Sequence, residues 1–244
     1  KTARWTWASC SLAKPPPAHE RTMTAPSYTL AWAPQPGTLG WLAGSHWLGR
    51  CAAQLRPLPQ LDIAEVPPEV LHLLTARPRQ WGGRAAWAPS FALAEGTDWL
   101  TLQATVHRLA TQWQPMALPP LQVVRHAGAL ALAPAPGHRS HQALTAWATQ
   151  CQQALQAIAA PQPDDAAAPE APWTFHLPLT GPLHLMQPPL QDVVEDVAQQ
   201  FFADLPPQHI DSLALFSQKH PQDDFVLLDH FELAPAPALS LTTP

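Results

Sequence analysis

A chain of 244 residues, 46% hydrophobic and with eleven tryptophans, has enough apolar surface for a packed core, which excludes intrinsic disorder. Only 13% of its residues are charged, the formal net charge is −5 and no basic stripe is present, which excludes general nucleic-acid binding by phosphate neutralisation. No run approaches the ~18 apolar residues of a membrane span, and Cys10, Cys51 and Cys151, odd in number and without metal spacing, fit a reducing cytoplasm better than a disulfide framework.

Thirty-one prolines, abundant alanine and no asparagine indicate compositional drift, so part of the proline is background. Residues 1–22 carry Lys1, Arg4 and a Pro15-Pro16-Pro17 run but no continuous apolar core of a secretory signal. They read as a disordered tail, or as sequence ahead of a start at Met23. Tyr28 to Ala33 alternates between Pro26 and Pro34 and predicts a first strand. Leu39, Leu42, Ala43, His46 and Trp47 fall at helical spacing within 39–50. Pro67-Pro68 opens a short helix through Leu74, which Arg77-Pro78-Arg79 is expected to stop. A strand then spans about 80–87.

Thr97 is the expected N-cap of a helix reaching about Trp113. Two strands follow, Leu121 to His126 and Ala129 to Ala133, joined near Gly128, and then a long helix from His141 to Ala159. Residues 160–172, with Pro161, Pro163, Pro169, Pro172 and Asp164-Asp165, read as a solvated linker. A strand from Trp173 to Leu179, a helix from Pro188 to about Leu205 and closing strands at 210–216 and 225–233 complete the chain. The order of strand, helix, proline break and strand pair thus occurs twice. It predicts an α+β fold of two pseudo-symmetric lobes, each a small, mainly antiparallel sheet with helices outside, around a central groove. The lobes would be 23–159 and 173–233 of one domain, with 234–244 as a tail.

Two stretches look like copies of one unit. Trp81-Gly82-Gly83-Arg84-Ala85-Ala86-Trp87-Ala88-Pro89 and Trp173-Thr174-Phe175-His176-Leu177-Pro178 each place one basic side chain in a short apolar strand ending in a proline turn. Two such strands across a groove would hold a phosphate between two bases. Trp81, Trp87 and Trp173 flank that groove and are candidates to stack a ring. Other histidines carry less. His138 and His141 have helical spacing without a third ligand, and His184, His209, His220 and His230 sit in or beside turns and read as solvated. Asp211-Ser212 reads as the structural start of a strand. There is no Gly-rich phosphate loop, no Gly-x-Ser-x-Gly elbow and no Cys-x-x-Cys pair.

Over about Tyr28 to Leu233 the chain resembles the two-histidine (2H) phosphoesterase superfamily, and within it the uncharacterised branch encoded beside phosphonate-utilisation genes. The resemblance rests on Trp47-Leu48-Gly49-Arg50, Pro78-Arg79-Gln80-Trp81-Gly82, Phe175-His176-Leu177-Pro178-Leu179-Thr180-Gly181-Pro182-Leu183 and, most specifically, Asp211-Ser212-Leu213-Ala214-Leu215-Phe216-Ser217-Gln218. The family carries His-x-Thr in each lobe. Here those triplets read Arg84-Ala85-Ala86 and His176-Leu177-Pro178, Ala88 stands where the branch carries lysine, and the segment before the second motif is shortened.

In an intact site of that family one histidine is the general base, the other the general acid, and the threonines hold phosphate oxygens. Imidazole suits both roles because it titrates near neutrality. Arg84 cannot share them, although its fork suits a phosphate. The resemblance therefore implies His176 as the remaining catalytic group, with Arg84, Thr180, Trp81 and Trp87 binding a ligand, and no cofactor or metal. It implies a degenerate protein that binds a phosphorylated or phosphonate small molecule with little or no turnover. An active phosphoesterase with His176 as proton carrier and Arg84 as clamp, and a protein-binding scaffold with a vestigial groove, are the alternatives.

Overall fold

The computed structural model describes residues 25–135, 140–161 and 172–235. The expected tails at 1–22 and 234–244, most of the 160–172 linker, His138 and Cys10 lie wholly or largely outside that range. In chain order the strands and helices are β1 Ser27–Trp32, α1 Leu39–Leu48, β2 Arg50–Cys51, β3 Arg56–Pro57, α2 Pro68–Leu74, α3 Ala76–Trp81, β4 Ala85–Ala86, β5 Phe91–Ala92, α4 Trp99–Ala110, β6 Met116–Ala117, β7 Leu121–His126, β8 Ala129–Pro134, α5 Ser140–Gln156, β9 Leu177–Pro178, α6 Pro188–Phe202, β10 His209–Ile210, β11 Ser212–Gln218 and β12 Val226–Glu232. This is a mixed α+β architecture. Among the described residues no helix is long and apolar enough to cross a membrane.

β1 organises the larger sheet. Its last four residues, Thr29 to Trp32, are buried, and it pairs antiparallel with β11 on one side and with β4 and β5 on the other. β12 closes the far edge beside β11. A second antiparallel sheet runs β7-β8-β9. Each sheet therefore draws strands from both halves of the chain, and the repeat read along the sequence does not correspond to two consecutive sheets. β1 and β11 are buried over most of their length, and their pairing satisfies the backbone groups of both apolar runs.

Most elements lie near their expected places, and the differences have local causes. α2 ends at Thr75, and α3 starts immediately after it with Pro78 in its first turn, where a missing N–H is tolerated. α3 extends to Trp81, so the strand expected over 80–87 shrinks to Ala85–Ala86. The cap of α4 is Asp98 and not Thr97, because the Asp98 carboxylate accepts the Thr101 N–H at 2.8 Å. The β7–β8 hairpin turns on Ala127 and Gly128, both at positive φ, the geometry that matches strand twist in a two-residue loop.

A large core lies between the sheets and helices, with Trp32, Trp47 and Trp87 essentially inaccessible. Trp87 sits among Trp113, Trp147, Trp173 and Phe175 in one aromatic cluster. A smaller cluster around Ala31, Trp41, Cys51, Ala52, Phe216 and Phe225 packs on the other side of β1. Side chains of this size contribute about 1.5–3 kcal/mol each when buried, so the aromatic cluster fixes the relation of β4 to the segment before β9.

Gly82 is the junction where α3 turns into β4. Its φ is +85°, and an added Cβ would lie 2.9 Å from the Ala52 Cβ. Gly82→Ala therefore imposes both a left-handed backbone on a side chain and a clash in the smaller cluster. We expect a loss of about 1–3 kcal/mol, read as a fall in Tm of about 2–4 °C per kcal/mol. An unchanged Tm would show that this turn is not held in the conformation described.

Candidate functional site

β4 and β9 belong to different sheets but lie side by side. That contact brings Arg84, just before β4, and His176, just before β9, onto the wall of one cavity of about 270 Å³, shared with Thr29, Trp81, Ala86, Ser90 and Pro178. A second chamber of about 480 Å³ continues on the other side of His176, lined by Arg77, Trp81, His126, Leu130, Pro178 and Thr180. Trp81, His176 and Pro178 form the waist common to both. No carboxylate lines either chamber, while both contain a guanidinium.

Arg84 is only 5% exposed. Its guanidinium carbon lies 4.2 Å from the ring centre of Phe225 and 4.9 Å from that of Phe216, so the cation rests on aromatic faces. Its Nη1 has no hydrogen-bond partner, and no carboxylate pairs with it among the described residues. Burial, reinforced by the neighbouring Arg50, pushes the guanidinium down to about 9. It stays charged at neutral pH, buried and without a counter-ion.

Arg50 shows the opposite solution. It is equally buried, but Nη1 donates to the Arg79 carbonyl at 3.1 Å, Nη2 to the Phe225 carbonyl at 2.6 Å, and Nε faces Asp224 Oδ2 at 3.1 Å. Arg50 thus staples the end of α3 to the segment that carries Phe225, and Phe225 in turn supports Arg84. Burial lowers its pKa and Asp224 opposes that shift. Its place after Gly49, the left-handed C-cap of α1, directs it inward. In the sequence, the signal for Arg50 is its position directly behind a helix-ending glycine.

His176 is half-buried, and its Nδ1 lies 2.9 Å from the Thr174 carbonyl. A carbonyl only accepts, so Nδ1 carries the proton and Nε2 keeps its lone pair. Burial lowers its pKa, the bond to Thr174 opposes this, and His126 adds to the lowering. The free protein therefore presents His176 as a neutral base at pH 7.

The remaining candidates divide. Trp81 lines both chambers and is half-buried, so one ring is open to a ligand. Thr180 lines the larger chamber but is 3% exposed, and its hydroxyl accepts the Leu130 N–H at 2.9 Å, a bond that extends the β8–β9 pairing. Trp87 is fully buried in the aromatic cluster and lines neither chamber, so the stacking role expected of it is unavailable. Trp173 donates its indole N–H to the Ala86 carbonyl at 3.0 Å and braces β4 against the segment before β9.

Ser212 is buried, donates to Asp211 Oδ1 at 3.0 Å, accepts from Gln35 Nε2 at 2.9 Å and contacts His230 Nδ1 at 3.0 Å. This network anchors the start of β11 away from both chambers. His230, expected in solvent, is half-buried there, because residues on β12 face Ser212 across the strand pair.

Two further side chains escaped the sequence reading. Thr29, on β1, lines the smaller chamber while 1% exposed, and its hydroxyl makes a 3.5 Å contact to the Ala88 carbonyl. His126 packs against His176 with ring centres 4.1 Å apart and the rings tilted by 34°. Neither has a spacing relation to the two motif strands, so only the strand pairing could reveal them. Among the described residues no group of three or more His, Cys, Asp or Glu side chains is arranged to hold a metal ion.

The arrangement can hold an anion on Arg84, offer one hydroxyl from Thr29, and accept one proton at His176 Nε2. No curated protein matches the chain. Residues 87–173 and 170–226 match the family described as protein of unknown function (DUF1045). That match takes in more than half of the sequence, from the aromatic cluster through the His176 strand to β11, and the chain belongs to this family.

Proposed function

We propose that the cleft binds a small phosphorylated or phosphonate-bearing molecule on Arg84, and that the protein is a degenerate phosphoesterase of the two-histidine type with little or no turnover. The observation that carries this reading is the buried guanidinium of Arg84, which lacks a partner at Nη1 and lines a cavity with His176. A buried cation without a counter-ion is costly, and an entering dianion would relieve that cost through charge-assisted hydrogen bonds. Two chambers of 270 and 480 Å³ suit a small ligand with an anionic head and an uncharged body against Trp81 and Pro178.

Catalysis is limited by what stands beside the anion. Arg84 cannot relay protons near neutrality, and the motif positions Ala86 and Pro178 offer no hydroxyl. Losing one general acid or base costs about 10²–10⁴ in rate. The fixed Nδ1–H tautomer of His176 favours a second reading, a slow phosphoesterase in which His176 Nε2 takes the proton of the attacking water.

Inorganic phosphate and methylphosphonate should stabilise the protein, by about 2.7 kcal/mol at a hundredfold excess over Kd. Arg84→Met should abolish this ligand effect. The same variant removes an uncompensated buried charge, so without ligand it should be more stable than wild type by about 1–4 kcal/mol. The folded-state pKa of about 9 lies below that of the unfolded chain, so the wild-type penalty is complete below pH 9. It shrinks as pH rises through 9, and the gap to Arg84→Met should narrow there. Equal ligand shifts in both proteins would refute the anion site.

Hydrolysis of a panel of cyclic nucleotides and phosphoesters by wild type and His176→Ala separates binding from turnover. Equal background rates leave binding alone. If wild type is faster by about 10² or more, the slow-esterase reading holds. Because burial lowers the His176 pKa, the acid limb of its rate profile should then fall below the ordinary histidine value.

A further inference from the structure

His176 lacks a histidine opposite it on β4, yet it is not the only imidazole in the cleft. His126 is the last residue of β7, immediately before the Ala127-Gly128 turn. Its ring lies 4.1 Å from that of His176, tilted by 34°, and both line the larger chamber. The two come from strands on opposite sides of β8. Strand alternation puts His126, Ala129, Ala131 and Pro178 on one face of that sheet. Alanine at 129 and 131 leaves this face bare, which gives two rings room to meet above the middle strand.

Resting on the anion-binding reading above, we propose that His126 and His176 act as one unit, an imidazole pair in tilted ring contact that takes up a proton when a phosphoryl or phosphonyl dianion enters the cleft. His126 is then a positioning residue that sets the charge of His176. Two imidazoles in ring contact repel each other when both are charged, so the pair holds at most one proton near neutrality. The surrounding fixed charges decide when it does so. Arg77 from α3 and Arg84 beside β4 are the charged groups lining the two chambers, and both disfavour a further positive charge. Arg125, next to His126 on β7, points to the other face and is engaged by Glu195 at 2.6 Å and Asp192 at 3.4 Å of α6. A dianion at Arg84 reverses the balance, since in the smaller chamber Arg84 alone among the lining residues is charged and neutralises only half of it. The uncompensated negative charge draws one proton from solvent onto the pair, and no covalent bond forms or breaks.

The placement of the pair also restricts what it can do. Of the two rings only His176 lines the chamber that holds Arg84, whereas in-line displacement needs groups at the attacking and leaving oxygens on opposite sides of phosphorus. The pair therefore tunes binding and charge, and does not replace the acid and base of an efficient esterase.

The test uses the full chain with inorganic phosphate as probe. Calorimetric titration at pH 7 in buffers of different ionisation heat counts the protons taken up. The ionisation of phosphate itself is common to all proteins compared and cancels between them. Wild type should take up more protons than His126→Phe, which keeps an aromatic ring, and than His126→Gln, which keeps polarity. The wild-type Kd should tighten as pH falls through the titration range of the pair, by at most about tenfold per pH unit for one linked proton. This dependence should flatten in both variants, and the His176 ring resonances should titrate at higher pH once His126 is gone. Identical proton uptake and pH dependence in wild type and both variants would overturn the pair while leaving anion binding intact. Absence of phosphate binding to the wild type would overturn both readings together.

Discussion

The Arg84 side of the cleft is located by the central strand β1, and the His176 side by the β7-β8-β9 sheet. The pairing of β1 with β11 sets Thr29 opposite Phe216, and its pairing with β4 sets Trp32 opposite Ala85. The guanidinium of Arg84, the residue before Ala85, lies over the Phe216 ring. The same strand supplies Thr29 to the smaller chamber. Since β1 is buried along most of its length and bonded on both sides, a slip by one residue would turn Leu30 and Trp32 out of the larger core. The site inherits its geometry from a register that the core enforces.

That register creates an electrostatic inequality. Arg50 and Arg84 are buried to nearly the same degree and lie close enough for Arg50 to depress the Arg84 guanidinium. The donors of Arg50 are spent on two carbonyls and Asp224, so it is a structural cation. Arg84 has aromatic faces but an unpartnered Nη1, and the nearby loop carboxylate is already engaged by Arg50. A fold could remove such a charge without loss of packing, since methionine or leucine fits between two phenylalanine rings. Its retention beside an open cavity is the observation on which the proposed anion site rests.

The sequence made the elements legible wherever periodicity and breakers agreed, as in β1, α1, the β7–β8 hairpin and α6. It was least informative around the site. Pro78 read as a stop because proline interrupts helix interiors, but here it occupies a first turn. Trp87 and Trp173 read as alike, yet one is fully buried and the other braces β4 from a half-buried position, a difference decided by which strands become neighbours. Arg84 and His176 were legible as a pair because both occupy the same position in similar segments. Thr29 and His126 were not, because they reach the cleft through pairings of β1 and of β7-β8-β9 that have no sequence spacing.

The side chains that the motif triplets lack are thus partly matched by others of the same chemistry from different strands. No hydroxyl stands at Ala86 or Pro178, but Thr29 on β1 carries one at the wall of the smaller chamber; no histidine stands at Arg84, but His126 places a second imidazole ring 4.1 Å from that of His176. These side chains do not occupy the places of the motif triplets: the hydroxyl is on β1, and the second imidazole lies beside His176 in the larger chamber, which Arg84 does not line. Binding tolerates such rearrangement, because charge and hydrogen bonds act from several directions. In-line transfer does not, because it needs two groups on one axis. The same set of residues therefore supports holding a phosphoryl group more readily than cleaving one.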